Sequence, residues 1–164
     1  MKRQTLSIVF AIVILLIYFS FPSFGEKYAG GKSLISDGRY LVEITGCNDC
    51  HTKGWNQSEG KIPESEWLAG DITGWSGPWG TTYAPNLRLF FQGLSEDTWV
   101  NMARKLKARP PMPWWTLGTM KDKDLRKVYR FIKGLGPKGQ QAPSYLPPGQ
   151  EPKAPYFLFV PPSE

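Results

Sequence analysis

The sequence predicts an all-α domain of about three main helices and long loops, preceded by an export leader and followed by a Pro-rich, extended C-terminal strap. Apolar residues recur at helical spacing over 95–107 and 121–135, and a third segment, 33–45, reads as a helix that runs into a pair of cysteines. A hydrophobic share of 41% supports a core, and an aromatic share of 14%, with seven Trp, suits a core built around something large and flat. The expected boundaries are 1–25 for the leader, 26–136 for the folded domain and 137–164 for the strap.

The leader rests on Lys2 and Arg3, on an unbroken run of 12 apolar residues from Ile8 to Phe19, and on the small residues Ser23 and Gly25 before Glu26. A spanning helix needs about 20 apolar residues. Counted from Leu6 to Phe24 the stretch has only small polar breaks, so it can also stay uncleaved as a membrane anchor. Either way the chain after Glu26 is expected outside the bacterial cytoplasm, in the periplasm or on the outer face of the cytoplasmic membrane. Without Lys2 and Arg3 the chain keeps 18 basic residues of its 20 against 14 acidic ones, a net charge of +4 in place of +6. An exported chain with so mild an excess and no reading motif is not a nucleic-acid binder.

Both cysteines and the only histidine fall within "GCNDCHTKG", residues 46–54. A thioredoxin-like redox pair needs a βαβ context. Here "SDGRYLVEITG" before the motif reads as a helix, and the sequence after it is polar and rich in Gly and Trp. Structural zinc wants four Cys or His ligands and catalytic zinc three, and only three candidates exist, crowded into five residues. What remains is C-x-x-C-H, the signature of covalent c-type haem attachment. Thiols of Cys47 and Cys50 can each add to one vinyl group, and the next residue, His51, presents an imidazole to the iron. The long loop over 52–94 would then pack its Trp and Tyr side chains against the porphyrin; without such a partner a loop of that length is uncommon.

With no second histidine, the other axial ligand is sought among the methionines. Ser95 is a natural N-cap, and Trp99, Met102, Ala103 and Leu106 share one helical face, which makes Met102 a core residue. Met120 and Leu125 have the spacing of a hydrophobic staple around an N-cap at Lys121, with Asp122 and Asp124 in the first turn. Met112 stands apart in "RPPMPWW": Pro110, Pro111 and Pro113 forbid a helix and make a stiff extended loop, with Trp114 and Trp115 placed to cover a flat ring. Met112 is therefore the expected axial ligand. Beyond it Leu125, Val128, Ile132 and Leu135 form an inward stripe, and Gly134, Gly136 and Pro137 end the last helix. The strap carries an apolar run, Tyr156 to Val160, that should dock on the domain or on a partner.

Over roughly Lys32 to Leu135 the chain resembles class I cytochromes c, in particular the bacterial monohaem branch with an "MPW" methionine loop. "GRYLVEITGCNDCH", "APNL" (84–87), "PPMPWW" and "MKDKDLRKVYRFIKGLG" come in that family's order. The resemblance implies a class I cytochrome c fold, with helices and long loops wrapped around one covalently bound haem c. It also implies Cys47 and Cys50 as thioether anchors, and His51 and Met112 as axial ligands of the iron. Pro85 would accept the free N–H of His51, and Gly38 would meet Phe131 or Tyr129 where the first and last helices cross. Lys121 departs from the family, which usually caps its closing helix with Thr or Ser.

With both axial positions filled and no triad, carboxylate dyad or Gly-rich phosphate loop, the expectation is an electron carrier, not an enzyme. Its partners would be redox proteins: a dehydrogenase, an oxidase or a membrane respiratory complex. Basic residues at 104–109 and 121–133 either form solvated helix faces or dock an acidic partner. Two alternatives stand beside the diffusible carrier. One is a cytochrome subunit accepting electrons within a membrane-associated dehydrogenase complex. The other is a gas-binding or peroxidatic haem protein, which needs Met112 off the iron.

Overall fold

A computed structural model describes residues 26–153 and 155–161, and the expected leader over 1–25 lies outside them. The chain divides into two compact units, Met1–Ser33 and Leu34–Glu164, and the core and the candidate site belong to the second. The described residues hold six α-helices: α1 (Glu26–Ile44), α2 (Cys47–His51), α3 (Leu87–Phe90), α4 (Glu96–Lys105), α5 (Trp114–Thr119) and α6 (Asp122–Leu135). None of them is long and apolar enough to cross a membrane.

The all-α expectation is corrected by a three-stranded sheet of order β2-β1-β3. Strands β1 (Gly74–Gly77) and β2 (Gly80–Tyr83) form an antiparallel hairpin with Gly77 opposite Gly80, closed by Pro78 and Trp79. Its Trp, Thr and Tyr residues have the flat or branched side chains that fit a pleated surface. Strand β3 (Tyr156–Leu158) is the apolar run of the strap, and it pairs parallel with β1, Phe157 beside Trp75. The strap thus docks on the domain. Its outer positions stay open to solvent, Leu158 at 65% and Val160 at 77% exposure.

The helical core follows the expected stripe of α6 and, Met102 apart, that of α4. Val42 of α1, Trp99 and Val100 of α4, and Leu125, Val128, Phe131 and Ile132 of α6 are buried together with Trp67, Leu68 and Phe91. Each such side chain contributes roughly 1.5–3 kcal/mol by leaving water. Helices α1 and α6 meet at Gly38, where a Cβ would stand 2.3 Å from the Lys127 carbonyl oxygen and 2.8 Å from Phe131 Cβ. Only a residue without a side chain lets the backbones come this close.

The helix ends are satisfied by different means. Ser95 Oγ accepts from the Thr98 amide at 3.1 Å, capping α4 as expected. Lys121 provides no side-chain cap to α6, whose start is instead favoured by Asp122 and Asp124 against the helix dipole. At the other end of α6 the buried Arg88 donates to the Gly136 carbonyl at 2.6 Å and to the Leu135 carbonyl, and reaches Ser65 O at 2.8 Å. Those carbonyls have no partner inside the helix, so one guanidinium closes the last turn.

Much of the basic run on α6 is neutralised inside the fold. Glu96 accepts from Arg126 at 3.2 Å and from Arg130 at 2.9 Å, and Lys127 lies 2.9 Å from Asp37.

Two outcomes follow from this packing. Gly38→Ala should lower stability in a denaturant titration by about 1–3 kcal/mol, because the added methyl meets a backbone atom that cannot turn away. Hydrogen bonds from Arg130 and Arg126 hold the Glu96 carboxyl below its ordinary range. A depressed carboxyl stabilises the fold above its unfolded pKa of about 4.3. The stability gap between wild type and Glu96→Gln should therefore be level near neutrality and close as pH falls through the folded-state pKa of Glu96. A gap that widens in acid would contradict the pairing.

Candidate functional site

Helix α1 is stopped by Gly46, whose φ of 70° turns the chain into α2. The positive φ is what favours glycine there; a Cβ would meet only the Asp49 carboxylate, 2.9 Å away, which can turn aside. The single turn of α2 then places Cys47, Cys50 and His51 on a short rigid element. Its far end is tied down by Thr52, which is buried: its hydroxyl donates to Asn48 Oδ1 at 2.7 Å and accepts from the Leu68 amide at 2.8 Å. The His51 carbonyl accepts from the Gly70 amide at 2.8 Å.

The His51 ring is only 6% exposed. Its Nδ1 lies 2.8 Å from the Pro85 carbonyl oxygen, and a carbonyl can only accept, so Nδ1 carries the proton. Burial pushes the imidazole towards its neutral form, and the Pro85 bond opposes this more weakly. Nε2 therefore keeps a free lone pair, and among the described residues it has no hydrogen-bond partner. Pro85 is held by its neighbour Asn86, fully buried, which accepts from the Leu89 amide at 3.0 Å and donates to the carbonyls of Lys138 at 2.7 Å and Gln140 at 3.1 Å.

His51, Cys47, Cys50 and Met112 all line one cavity of about 640 Å³. Pockets that enclose a small-molecule or cofactor ligand run to about 300–1,000 Å³ and are mostly apolar. The walls here are Trp75 and Tyr83 of the hairpin, Phe91, Trp99 of α4, Leu117 of α5 and Ile132 of α6. Both thiols sit at its edge in reduced form. Burial, and then the nearby Asp49 carboxylate, push Cys50 up to about 11; burial likewise raises Cys47, against a 3.3 Å contact with the Thr45 hydroxyl that lowers it. Both are therefore neutral thiols near pH 7. Among the described residues no group of three or more His, Cys, Asp or Glu side chains is placed to hold a metal ion, so a zinc site has no ligand set.

Two expectations about the walls change. Met102 was expected in the core, but it lines this cavity and also a shallow surface groove with Lys105 and Lys107. Two thioethers thus border the cavity. Met120, by contrast, packs against the core as its staple spacing implies. Trp114 and Trp115 were expected to cover a flat ring. They begin helix α5 instead, neither lines the cavity, and Trp115 is 58% exposed. Pro113 at the N-cap is what starts this helix, since proline cannot continue one but readily precedes it. The Trp side chains that do line the cavity are Trp75 and Trp99.

The donor set fits a c-type haem: two thiols and one lone-pair imidazole on a single helical turn, beside an apolar cavity with a methionine on its wall. Compared with known proteins, the chain matches no family model, no curated protein and no solved structure.

Thr52→Val should cost about 2–6 kcal/mol in denaturant unfolding. It strands two buried groups, the Asn48 side-chain oxygen and the Leu68 amide, at roughly 1–3 kcal/mol each. Thr52→Ser, which keeps both bonds, should cost clearly less.

Proposed function

We propose that the protein is a monohaem c-type cytochrome of the class I type, carrying single electrons outside the cytoplasm and performing no substrate chemistry of its own. The observation that supports this most is the state of His51: buried, its Nδ1 proton spent on Pro85, and its Nε2 lone pair unused beside both thiols. Cys47 and Cys50 would hold the haem through thioethers. When bound, the haem supplies a one-electron Fe(III)/Fe(II) couple.

The protein's own residues then do three things. His51 would ligate through Nε2, with the Pro85 carbonyl fixing its tautomer and making it a better donor. Met112, flanked by Pro111 and Pro113, would offer its thioether as the second ligand, and a His/Met pair raises the potential relative to two imidazoles. Trp75, Phe91, Trp99 and Ile132 line the cavity and would limit solvation of a ferric charge there, which favours the reduced state.

The partner is a redox protein with an acidic face. Arg126, Lys127 and Arg130 are already paired, whereas Lys105 and Lys107 have no carboxylate partner among the described residues and border the groove beside Met102. Complementary charge there would raise the encounter rate. The exposed apolar face of β3 favours a second reading, a cytochrome subunit seated in a membrane-associated dehydrogenase complex.

The test is the absorption spectrum of the haem-loaded protein, oxidised and reduced, with and without carbon monoxide. Wild type should be low-spin and indifferent to carbon monoxide. Met112→Ala should become high-spin and bind it, while Met102→Leu should leave the spectrum unchanged. If Met102→Leu gives the spectral change instead, the axial assignment moves to Met102. A wild type that binds carbon monoxide moves the function to gas binding or peroxide chemistry.

A further inference from the structure

Two cations line the cavity, Lys107 and Arg109. Lys107 also opens onto the surface groove. Arg109 does not: its guanidinium sits 3.8 Å over the ring of Tyr145, in the C-terminal strap, and has no carboxylate or hydrogen-bond partner among the described residues. Tyr145 is itself fixed. Its hydroxyl donates to the Trp79 carbonyl at 2.8 Å, and the next residue, Leu146, exchanges backbone hydrogen bonds with Thr81 at 2.8 and 3.0 Å. Gly80 lies so close beneath this crossing that a Cβ would be 2.2 Å from the Leu146 carbonyl oxygen.

The residue after Thr81 is Thr82, which lines the cavity. Its hydroxyl is buried and has no hydrogen-bond partner among the described residues. A buried hydroxyl without a partner loses its hydration for nothing, and native folds rarely tolerate that unless a ligand supplies the bond. The wall of this mostly apolar cavity thus carries, on segments linked through the strap, a guanidinium without a carboxylate partner and a buried hydroxyl without a hydrogen-bond partner among the described residues. Both donate hydrogen bonds, and one is positively charged. Their shared complement is a carboxylate.

We infer that Arg109 and Thr82 form a carboxylate-binding corner of the cavity, that Tyr145 of the strap is the positioning residue for Arg109, and that the occupant is a propionate of the haem. This rests on the haem reading above. It gives the strap a role inside the site: the strap holds the cation that neutralises the cofactor's own charge close to the iron. A paired propionate stays ionised and electrically silent across the physiological pH range. An unpaired one adds negative charge near the iron, which favours the ferric state and lowers the potential. Buried without a cation, it also takes up a proton more readily, and the potential then rises again as pH falls.

The experiment is the midpoint potential of the haem-loaded full-length protein between pH 5 and 8, with covalent haem verified first by mass. Wild type should be flat. Arg109→Gln should be lower at pH 8 by about tenfold in the oxidised-to-reduced ratio, about 59 mV for one electron, and should climb towards wild type as pH falls. Arg109→Lys should restore the flat profile. Tyr145→Leu should show the same slope as Arg109→Gln, and Tyr145→Phe, which keeps the ring, should not. Thr82→Val gives an independent reading if Arg109→Gln does not mature: it should also introduce a slope. Wild-type protein without covalent haem overturns the cytochrome reading and this corner with it. Haem-loaded Arg109→Gln and Thr82→Val with flat, wild-type profiles overturn the corner and leave the cytochrome reading standing.

Discussion

One hydrogen bond, from His51 Nδ1 to the Pro85 carbonyl at 2.8 Å, joins segments 34 residues apart and settles what the only histidine of the chain can do. With Nδ1 committed, the ring cannot flip, cannot donate from Nε2, and has little reason to charge while it is buried. A good part of the loop between motif and hairpin exists to hold that bond. Thr52 ties the end of α2 to Leu68, the Gly70 amide takes the His51 carbonyl, and Leu87 reaches back to the Leu68 carbonyl at 3.0 Å. Gly70, at φ 80°, runs so near Asn86 that a Cβ would be 2.9 Å from its amide nitrogen. The donor and acceptor of one bond are therefore fixed by two backbone stretches pressed against each other.

The helical half of the molecule was legible because its signals are local. Ser95 followed by acidic residues, the i, i+3, i+7 stripe of α6 and the glycines that stop it all act within a few residues of themselves, and α4 and α6 lie within two residues of where they were expected. Gly38 was legible only through a resemblance, because what it avoids is the Lys127 backbone on another helix. The sheet was missed for a related reason. Its third strand comes from residues 156–158, more than 70 positions after the hairpin it joins, and the four-residue strands β1 and β2 are too short to show a period against their Gly-rich setting. The cavity's second methionine was misplaced by a similar ambiguity. A stripe that contains Trp99 and Met102 looks the same whether it faces protein or a space for a cofactor.

Charge gives a sharper example of what spacing cannot say. Two basic runs look equivalent in the sequence, yet they differ in what lies opposite. Glu96 and Asp97 at the start of α4 and Asp37 on α1 stand against Arg126, Lys127 and Arg130, and those cations serve the helix packing. In the first run Arg104 pairs with Asp122, but Lys107 and Arg109 meet no carboxylate among the described residues. Lys107 rests on Trp114 at 3.6 Å and Arg109 on Tyr145, so aromatic faces hold the side chains without cancelling their charge. A cation held this way remains available to an anion, whether from a partner's surface or from within the cavity.

The strap shows how a proline-rich segment contributes to such a site. It has no helical period and cannot make a hydrophobic core of its own, but prolines lower the entropy lost when an extended chain is laid along a surface. It touches the hairpin twice, at Leu146 against Thr81 and at β3 against β1, with Phe157 stacked 4.9 Å from Trp75. Trp75 and Thr82 are on the cavity wall, so the wall is backed from outside by the last part of the chain. A two-stranded hairpin alone is marginally stable in water. Pinned by a third strand and an aromatic stack, it becomes a rigid side of the cavity. Under the proposed function such a wall would matter, because a change in iron charge has to be absorbed with little movement around it.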